Sequence, residues 1–235
     1  MTRQIILDTE TTGLEPNLGH RVVELAVVEL LNRRLTGNRF HSYLNPERDS
    51  DAAALQIHGL TREFLQDKAR FKDIVNEFLE YISGAELIIH NAAFDEAFLD
   101  YELGLLGFKR LKEYCAGIVD TLKMAKELHP GKKNSLDALC ERYEVDNSKR
   151  TLHGALLDAE LLADVYVAMT RGQESLMMDE EDGALPRAEV ARAIKRDLLI
   201  ITASPEELQA HAQQLQEIDK ASGGNCVWNK IAQAR

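Results

Sequence analysis

Apolar and polar positions change their period along this chain, and the change separates strands from helices. Ile5-Ile6-Leu7 is a short apolar run ending in Asp8, which predicts a buried strand over Arg3–Leu7. Thr11-Thr12-Gly13 then marks a turn. Val22 to Leu31 is rich in β-branched and apolar residues. Asn32-Arg33-Arg34 reads as a hairpin loop, and Thr36 to Leu44 alternates well enough for a return strand, closed by Asn45-Pro46. Three strands in succession imply an antiparallel meander. Helical spacing follows: Phe71, Ile74, Val75, Phe78, Leu79 and Ile82 share a stripe that ends before Gly84. Glu86–Ile89 predicts a strand, Phe94–Leu106 a helix and Ile118-Val119 a last strand. Ser135 caps a further helix, and Ala155–Met169 is strongly periodic. This order predicts an α/β fold whose mixed five-stranded sheet is flanked by helices, not a purely parallel doubly wound sheet.

The pattern breaks after Arg171. Residues 172–187 include Asp179, Glu180, Glu181, Asp182, Gly183 and Pro186 and read as a flexible acidic linker. Residues 188–235 hold a short apolar stretch at Leu198–Ile201, a candidate helix over Glu206–Ala221, and Trp228. That is too little to bury a good core alone, so the segment is expected to dock on a partner. The expected organisation is a catalytic domain at 1–171, the linker at 172–187 and a C-terminal segment at 188–235.

Cys115, Cys140 and Cys226 lie far apart with no C-x-x-C pair, which suggests neither a disulfide framework nor a cysteine zinc site. The start of the chain has no leader pattern, and no run approaches the roughly 18 apolar residues of a membrane span, so a cytoplasmic protein is expected. The net charge of −11 argues against gripping long duplexes through many phosphates. It leaves open an enzyme that handles a chain end, where bound divalent cations reverse the local charge.

The acids supply the candidate chemistry. In a strand, Asp8 and Glu10 project to one side, and two adjacent carboxylates repel unless a cation lies between them. An isolated D-x-E is otherwise a solvated strand end. Asp158 shares the buried stripe of Leu161, Leu162, Val165 and Met169, where an unpaired charge costs several kcal/mol. It is either a metal ligand or an early-turn acid favoured by the helix dipole. Asp95, taken singly, is an ordinary first-turn acid. His153 lies about 140° around a helix from Asp158, so it cannot share that face. With Gly154 following, it belongs to the entering loop, either over the carboxylates or as a plain surface residue.

Taken together, Leu7-Asp8-Thr9-Glu10-Thr11-Thr12-Gly13, His90-Asn91-Ala92-Ala93-Phe94-Asp95 and His153-Gly154-Ala155-Leu156-Leu157-Asp158 resemble the three ordered motifs of the DEDD exonucleases, in their histidine-containing branch. The resemblance spans Arg3 to Arg171 and implies a ribonuclease H-like fold with metal-dependent 3′→5′ exonuclease activity. It implies two divalent cations, Mg²⁺ or Mn²⁺. Asp8 would bridge both, Glu10 and Asp158 would complete the first, and Asp95 would support the second. His153 would take the proton from the attacking water. Thr9, Thr11 and Leu14 would shape the pocket of the 3′-terminal nucleotide, with Asn91 hydrogen-bonding nearby. His58 would contact the nucleotide or, equally, be a loop residue before a helix capped by Thr61.

Asn32–Asn38, Pro130–Leu139, Asp146–Asp158 and Gly223–Trp228 also resemble the proofreading branch of the family, which serves bacterial replicative polymerases. This implies a single-stranded 3′ end of DNA as substrate and a polymerase catalytic (alpha) subunit held by the C-terminal segment. Gln173-Glu174-Ser175-Leu176-Met177-Met178 resembles a sliding-clamp peptide, with Gln173, Ser175, Leu176 and Met178 as its contacts. A small theta-like subunit stays open. The alternatives are an RNA-trimming exonuclease of the same family and a non-catalytic replication adaptor. An adaptor has no physical reason to keep the whole acid set with His153.

Overall fold

The computed structural model describes residues 3–148, 150, 152–181, 203–224 and 228, without the side chains of 172–181. The chain divides into two compact units, Met1–Glu180 and Glu181–Arg235. In the first, strands β1 (Gln4–Thr11), β2 (Val22–Leu31), β3 (Arg34–Tyr43), β4 (Glu86–Ile89) and β5 (Gly117–Asp120) form one sheet in the order β3-β2-β1-β4-β5. β1–β2 and β2–β3 are antiparallel, whereas β1–β4 and β4–β5 are parallel, so the sheet is mixed as predicted. The β2–β3 hairpin turns on Asn32 and Arg33, both at positive φ (50° and 62°), which suits the twist of a two-residue turn. The strain at Arg33 is offset because its guanidinium donates to the Val167 carbonyl (2.6 Å) and to Thr170 Oγ1 (2.9 Å).

The helices are α1 (Ala52–His58), α2 (Arg62–Leu65), α3 (Phe71–Ile82), α4 (Ala92–Leu105), α5 (Thr121–Leu128), α6 (Leu136–Tyr143) and α7 (Ala155–Glu181). Alternation along β1 builds two cores. Ile5 and Leu7 pack with Val75, Phe78, Phe98 and Leu99 of α3 and α4. Ile6 turns the other way and packs with Ile88, Leu139, Cys140, Leu162 and Val165 beside α6 and α7.

The structure corrects several predicted boundaries. β1 does not stop at Leu7 but continues to Thr11, because β2 still offers it a partner as far as the Thr11–Val22 pair, past a bulge between Glu10 and Thr11. β4 pairs only with Gln4–Leu7. The last residues of β1 therefore have a strand on one side and open space on the other. α4 begins at Ala92, two residues early, from Asn91 in the left-handed conformation (φ 63°). α1 and α5 are not foreshadowed by long apolar stripes. α5 is started by Asp120, whose side chain accepts from the Leu122 and Lys123 amides. α7 runs on to Glu181, so the backbone of 172–181, read from sequence as linker, is helical.

In the second unit, α8 (Pro205–Ala221) is closed by a capping box: Glu207 N donates to Ser204 Oγ, and Ser204 N donates to the Glu207 carboxylate. Its side chains include no buried residue.

Phe98 is fully buried on α4, in the first core. We predict that Phe98→Ala lowers stability by about 3–5 kcal/mol, measured as a lower urea midpoint with an unchanged slope.

Candidate active site and metal centre

Beyond Leu7, β1 keeps its alternation. Asp8 and Glu10 follow Ile6 onto the side of α7, and Thr9 follows Leu7 toward α4. Asp158, in the first turn of α7, is 4% exposed on the buried stripe. Asp95, in the first turn of α4, is equally buried, and its Oδ1 accepts from Thr9 Oγ1 at 2.6 Å. His153 lies on the loop before α7. Its amide donates to the Ile57 carbonyl (3.0 Å), and its ring Nδ1 stands 3.3 Å from Asp158 Oδ2. All five residues line one cavity of about 490 Å³, together with Thr9 and Asn91.

The remaining residues predicted for the terminal nucleotide are brought together next door. Thr11, Leu14 and His58 line a mostly apolar cavity of about 290 Å³, which shares Thr9, Glu10 and Phe94 with the first. His58 is buried. Its Nδ1 accepts from the Leu60 amide at 2.9 Å, which leaves the proton of the neutral ring on Nε2, and Nε2 closes no hydrogen bond among the described residues. Burial lowers its pKa against the opposing pull of Glu24 and the Thr11 backbone. Gly13 in this wall is required for packing, since a Cβ there would meet the His20 ring at 2.3 Å. The side chains of Gln173, Ser175, Leu176 and Met178 lie outside the described residues.

The electrostatics of the large cavity are set by crowded acids. Asp8 keeps a partly exposed face, yet protein surrounds it closely. Burial raises its pKa well above the usual carboxylate range, and Asp95, Glu10, Asp158 and Glu24 add to the rise. Glu10 is raised to about 8, first by burial and then by Asp158 and Glu24. Asp95 is raised to about 7 by burial, against the hydrogen bond from Thr9. Among the described residues no cation pairs with Asp8 or Asp95.

Three groups escaped the sequence reading. Arg150 grips Asp158 with both arms: Nε donates to Oδ1 (2.6 Å) and Nη2 to Oδ2 (2.5 Å), while Nη1 bonds Asp137. Asp158 is thus partnered, which weakens the inference that its burial alone demands a metal. Glu24, 2% exposed on β2, accepts from the Ala155 amide at 3.1 Å and bonds His41 Nε2 at 2.7 Å, and so fastens the start of α7 to the sheet. His90 Nδ1 meets Thr121 Oγ1 at 2.9 Å on the cavity wall. The only advance signal was positional: Arg150 and His90 fall inside stretches that carry the family resemblance.

The donor set fits a metal. Glu10, His153 and Asp158 each offer a ligand atom within 4.8 Å of one another, and carboxylate oxygens predominate, as hard divalent cations prefer. Asp8 and Asp95 add further oxygens that lack a counter-charge among the described residues.

Residues 5–166 match the exonuclease family RNase_T. DNA polymerase III subunit epsilon of Salmonella typhimurium is 51% identical over 97% of this chain and 98% of its own length. The same subunit of Escherichia coli K12 is 49% identical, with the same coverage. The chain belongs to this exonuclease family, among the polymerase III epsilon subunits. It is a metal-dependent 3′→5′ exonuclease by that membership. Exonuclease X in complex with 5′-overhanging duplex DNA superposes with TM-score 0.57 at 25% identity, covering 72% of this chain and 92% of that one. The nuclease domain of 3′hExo, a DEDDh family member bound to rAMP, gives TM-score 0.62 at 19% identity with the same coverage and shares the fold. The ribonuclease H-like fold expected from the motifs therefore holds.

Because Asp8, Glu10 and Asp95 bind protons more tightly folded than unfolded, they cost stability as pH rises. The loss begins near the ordinary carboxylate value, about 4, and continues through about 7 for Asp95 and about 8 for Glu10. We predict a urea midpoint in EDTA that declines from pH 5.5 to 8.5, and a shallower decline for Asp8→Asn. Mn²⁺ added at pH 7 should release protons, seen as calorimetric heat that depends on the buffer's ionisation enthalpy. Buffer-independent heat would mean these carboxyls are already ionised.

Proposed function

We propose that this chain proofreads newly replicated DNA as the exonuclease subunit of a replicative polymerase, removing mispaired 3′-terminal nucleotides. The observation that carries this reading is the meeting of Asp8, Glu10, Asp95, Asp158 and His153 on one cavity with a second, apolar cavity beside it. Asp8, Glu10 and Asp158, with Asp95 in support, would hold two divalent cations, Mg²⁺ or Mn²⁺. Bound there, the cations supply charge for an in-line displacement at the last phosphodiester. His153 accepts the proton of the attacking water at Nε2, with Nδ1 turned toward Asp158. Leu14 and Ile57 pack on the terminal base, Thr9 and Thr11 border it, and Asn91 bonds substrate at the mouth of the larger cavity. His58 Nε2–H, which closes no hydrogen bond among the described residues, is the donor for that nucleotide.

The same reading gives the rest of the chain its work. Residues 1–171 form the nuclease, and 188–235 hold the polymerase alpha subunit. Between them, Gln173, Ser175, Leu176 and Met178 bind the sliding clamp. Support for the tail is that α8, though capped, buries none of its side chains, and that Trp228 is 66% exposed. The relatives are polymerase subunits, which supports a cytoplasmic place at the replication machinery. No helix of the described residues is long and apolar enough to cross a membrane.

We expect Asp8→Ala to fold and to lose roughly 10²–10³-fold or more in turnover of a 3′-mispaired primer. A gel assay should show mispaired DNA degraded faster than a short RNA of the same sequence, and strong RNA preference would sink the proofreading reading. Deletion of residues 189–235 should leave nuclease activity intact while ending co-purification with the polymerase alpha subunit; continued binding would place the interface elsewhere.

A further inference from the structure

Arg150 stands where the metal chemistry is proposed. Its side chain is only 7% exposed, and a buried guanidinium needs acceptors on every donor edge. It finds them in the site itself. The bidentate fork takes both oxygens of Asp158, at 2.6 and 2.5 Å, and Nη1 bonds Asp137 at the rim. Nη2 also lies 2.8 Å from His153 Nδ1. One nitrogen thus sits against two of the three residues whose ligand atoms converge within 4.8 Å.

We infer that Arg150 is a resident counter-cation, which occupies the Asp158–His153 end of the site in the metal-free protein and must be displaced when a divalent cation binds. The inference rests on the proposed metal site. A guanidinium fixed between Asp158 and His153 repels a second cation at contact distance and fills the position that cation needs. Asp137, 58% exposed, gives the displaced group a carboxylate to keep. The histidine is affected too. While Nδ1 accepts from Nη2, the neutral ring carries its proton on Nε2 and cannot receive another there. Once Arg150 leaves, Nδ1–H can face Asp158, 3.3 Å away, and Nε2 becomes the open acceptor. Arg150 therefore neutralises Asp158 and holds the His153 tautomer, and its displacement would release both partners together. Apparent metal affinity is lowered by the fraction of molecules in which Arg150 is docked.

The rival is a plain structural pin that orients Asp158 for the metal. The two differ in sign: removing a competitor tightens metal binding, whereas removing a pin loosens it. The test uses the full chain, as wild type, Arg150→Met and Arg150→Lys, with calorimetric titration of Mn²⁺ and ¹⁵N NMR of arginine side chains with and without Mg²⁺. In EDTA the wild type should give an Arg150 Nε–H signal protected from water exchange and absent from Arg150→Met. Saturating Mg²⁺ should abolish that protection. Arg150→Met should bind Mn²⁺ roughly tenfold tighter, from the usual strength of a charge-assisted pair. Arg150→Lys, which keeps the charge without the fork, should fall between, and it carries the comparison if the Met variant does not fold. A protected signal that survives Mg²⁺ saturation, or variants that bind Mn²⁺ no tighter than wild type, would overturn the inference while leaving the metal site standing. No Mn²⁺ binding by any of the three would overturn the metal site, and this inference with it.

Discussion

Burial of several acids in one poorly solvated cavity, with their mutual repulsion added, governs this molecule. Asp8, Glu10, Asp95 and Asp158 come from one strand and two helices, with Glu24 close behind. No arrangement of neutral side chains makes that comfortable, because burial and like charge both favour protonation. The fold tolerates it because two apolar cores, one on each face of the sheet, hold the backbone in place. The crowding is also useful. A divalent cation among these carboxylates would relieve both costs, and would displace the protons that the raised pKa values retain.

The geometry that crowds the acids begins with a mismatch of strand lengths. β1 continues past the end of β4, and the free edge opens beside Asp8 and Glu10. α4 starts where β4 stops, which delivers Asp95, and the loop into α7 brings His153 and Asp158. Glu24 ties this last element down by accepting from the Ala155 amide while His41 holds its other oxygen. The clasp couples β2 and β3 to the helix bearing Asp158. Meander and site are therefore one mechanical unit.

The elements legible in the sequence are those whose side chains meet a core on a regular period. β2 and α3 match their predicted limits because Val22–Leu31 and the Phe71–Ile82 stripe face packed apolar layers. α1 and α5 carry too few buried residues to mark a period, and α5 owes its start to the Asp120 cap. The extension of β1 was hidden because its last residues alternate acid with threonine, a pattern dictated by the site and not by burial. Of the site, the acids and His153 were readable as ordered motifs. Arg150 was not, since a lone arginine in a polar loop has no periodicity and its meaning arises only when the chain brings Asp137, His153 and Asp158 around it.

Arg150 also changes which acid argues most strongly for a metal. From the sequence that acid was Asp158, alone on an apolar stripe. In the structure Asp158 has a cation of its own, while Asp8 and Asp95 have none among the described residues. Asp8 therefore takes over that argument. Four other acids raise its pKa, it leans on no positive side chain among the described residues, and it sits on the central strand, where the backbone cannot move it away. A cation that relieves Asp8 would satisfy the deepest electrostatic demand of the fold. Arg150 neutralises only the Asp158 edge of the cluster, so its single charge leaves the demand at Asp8 unmet.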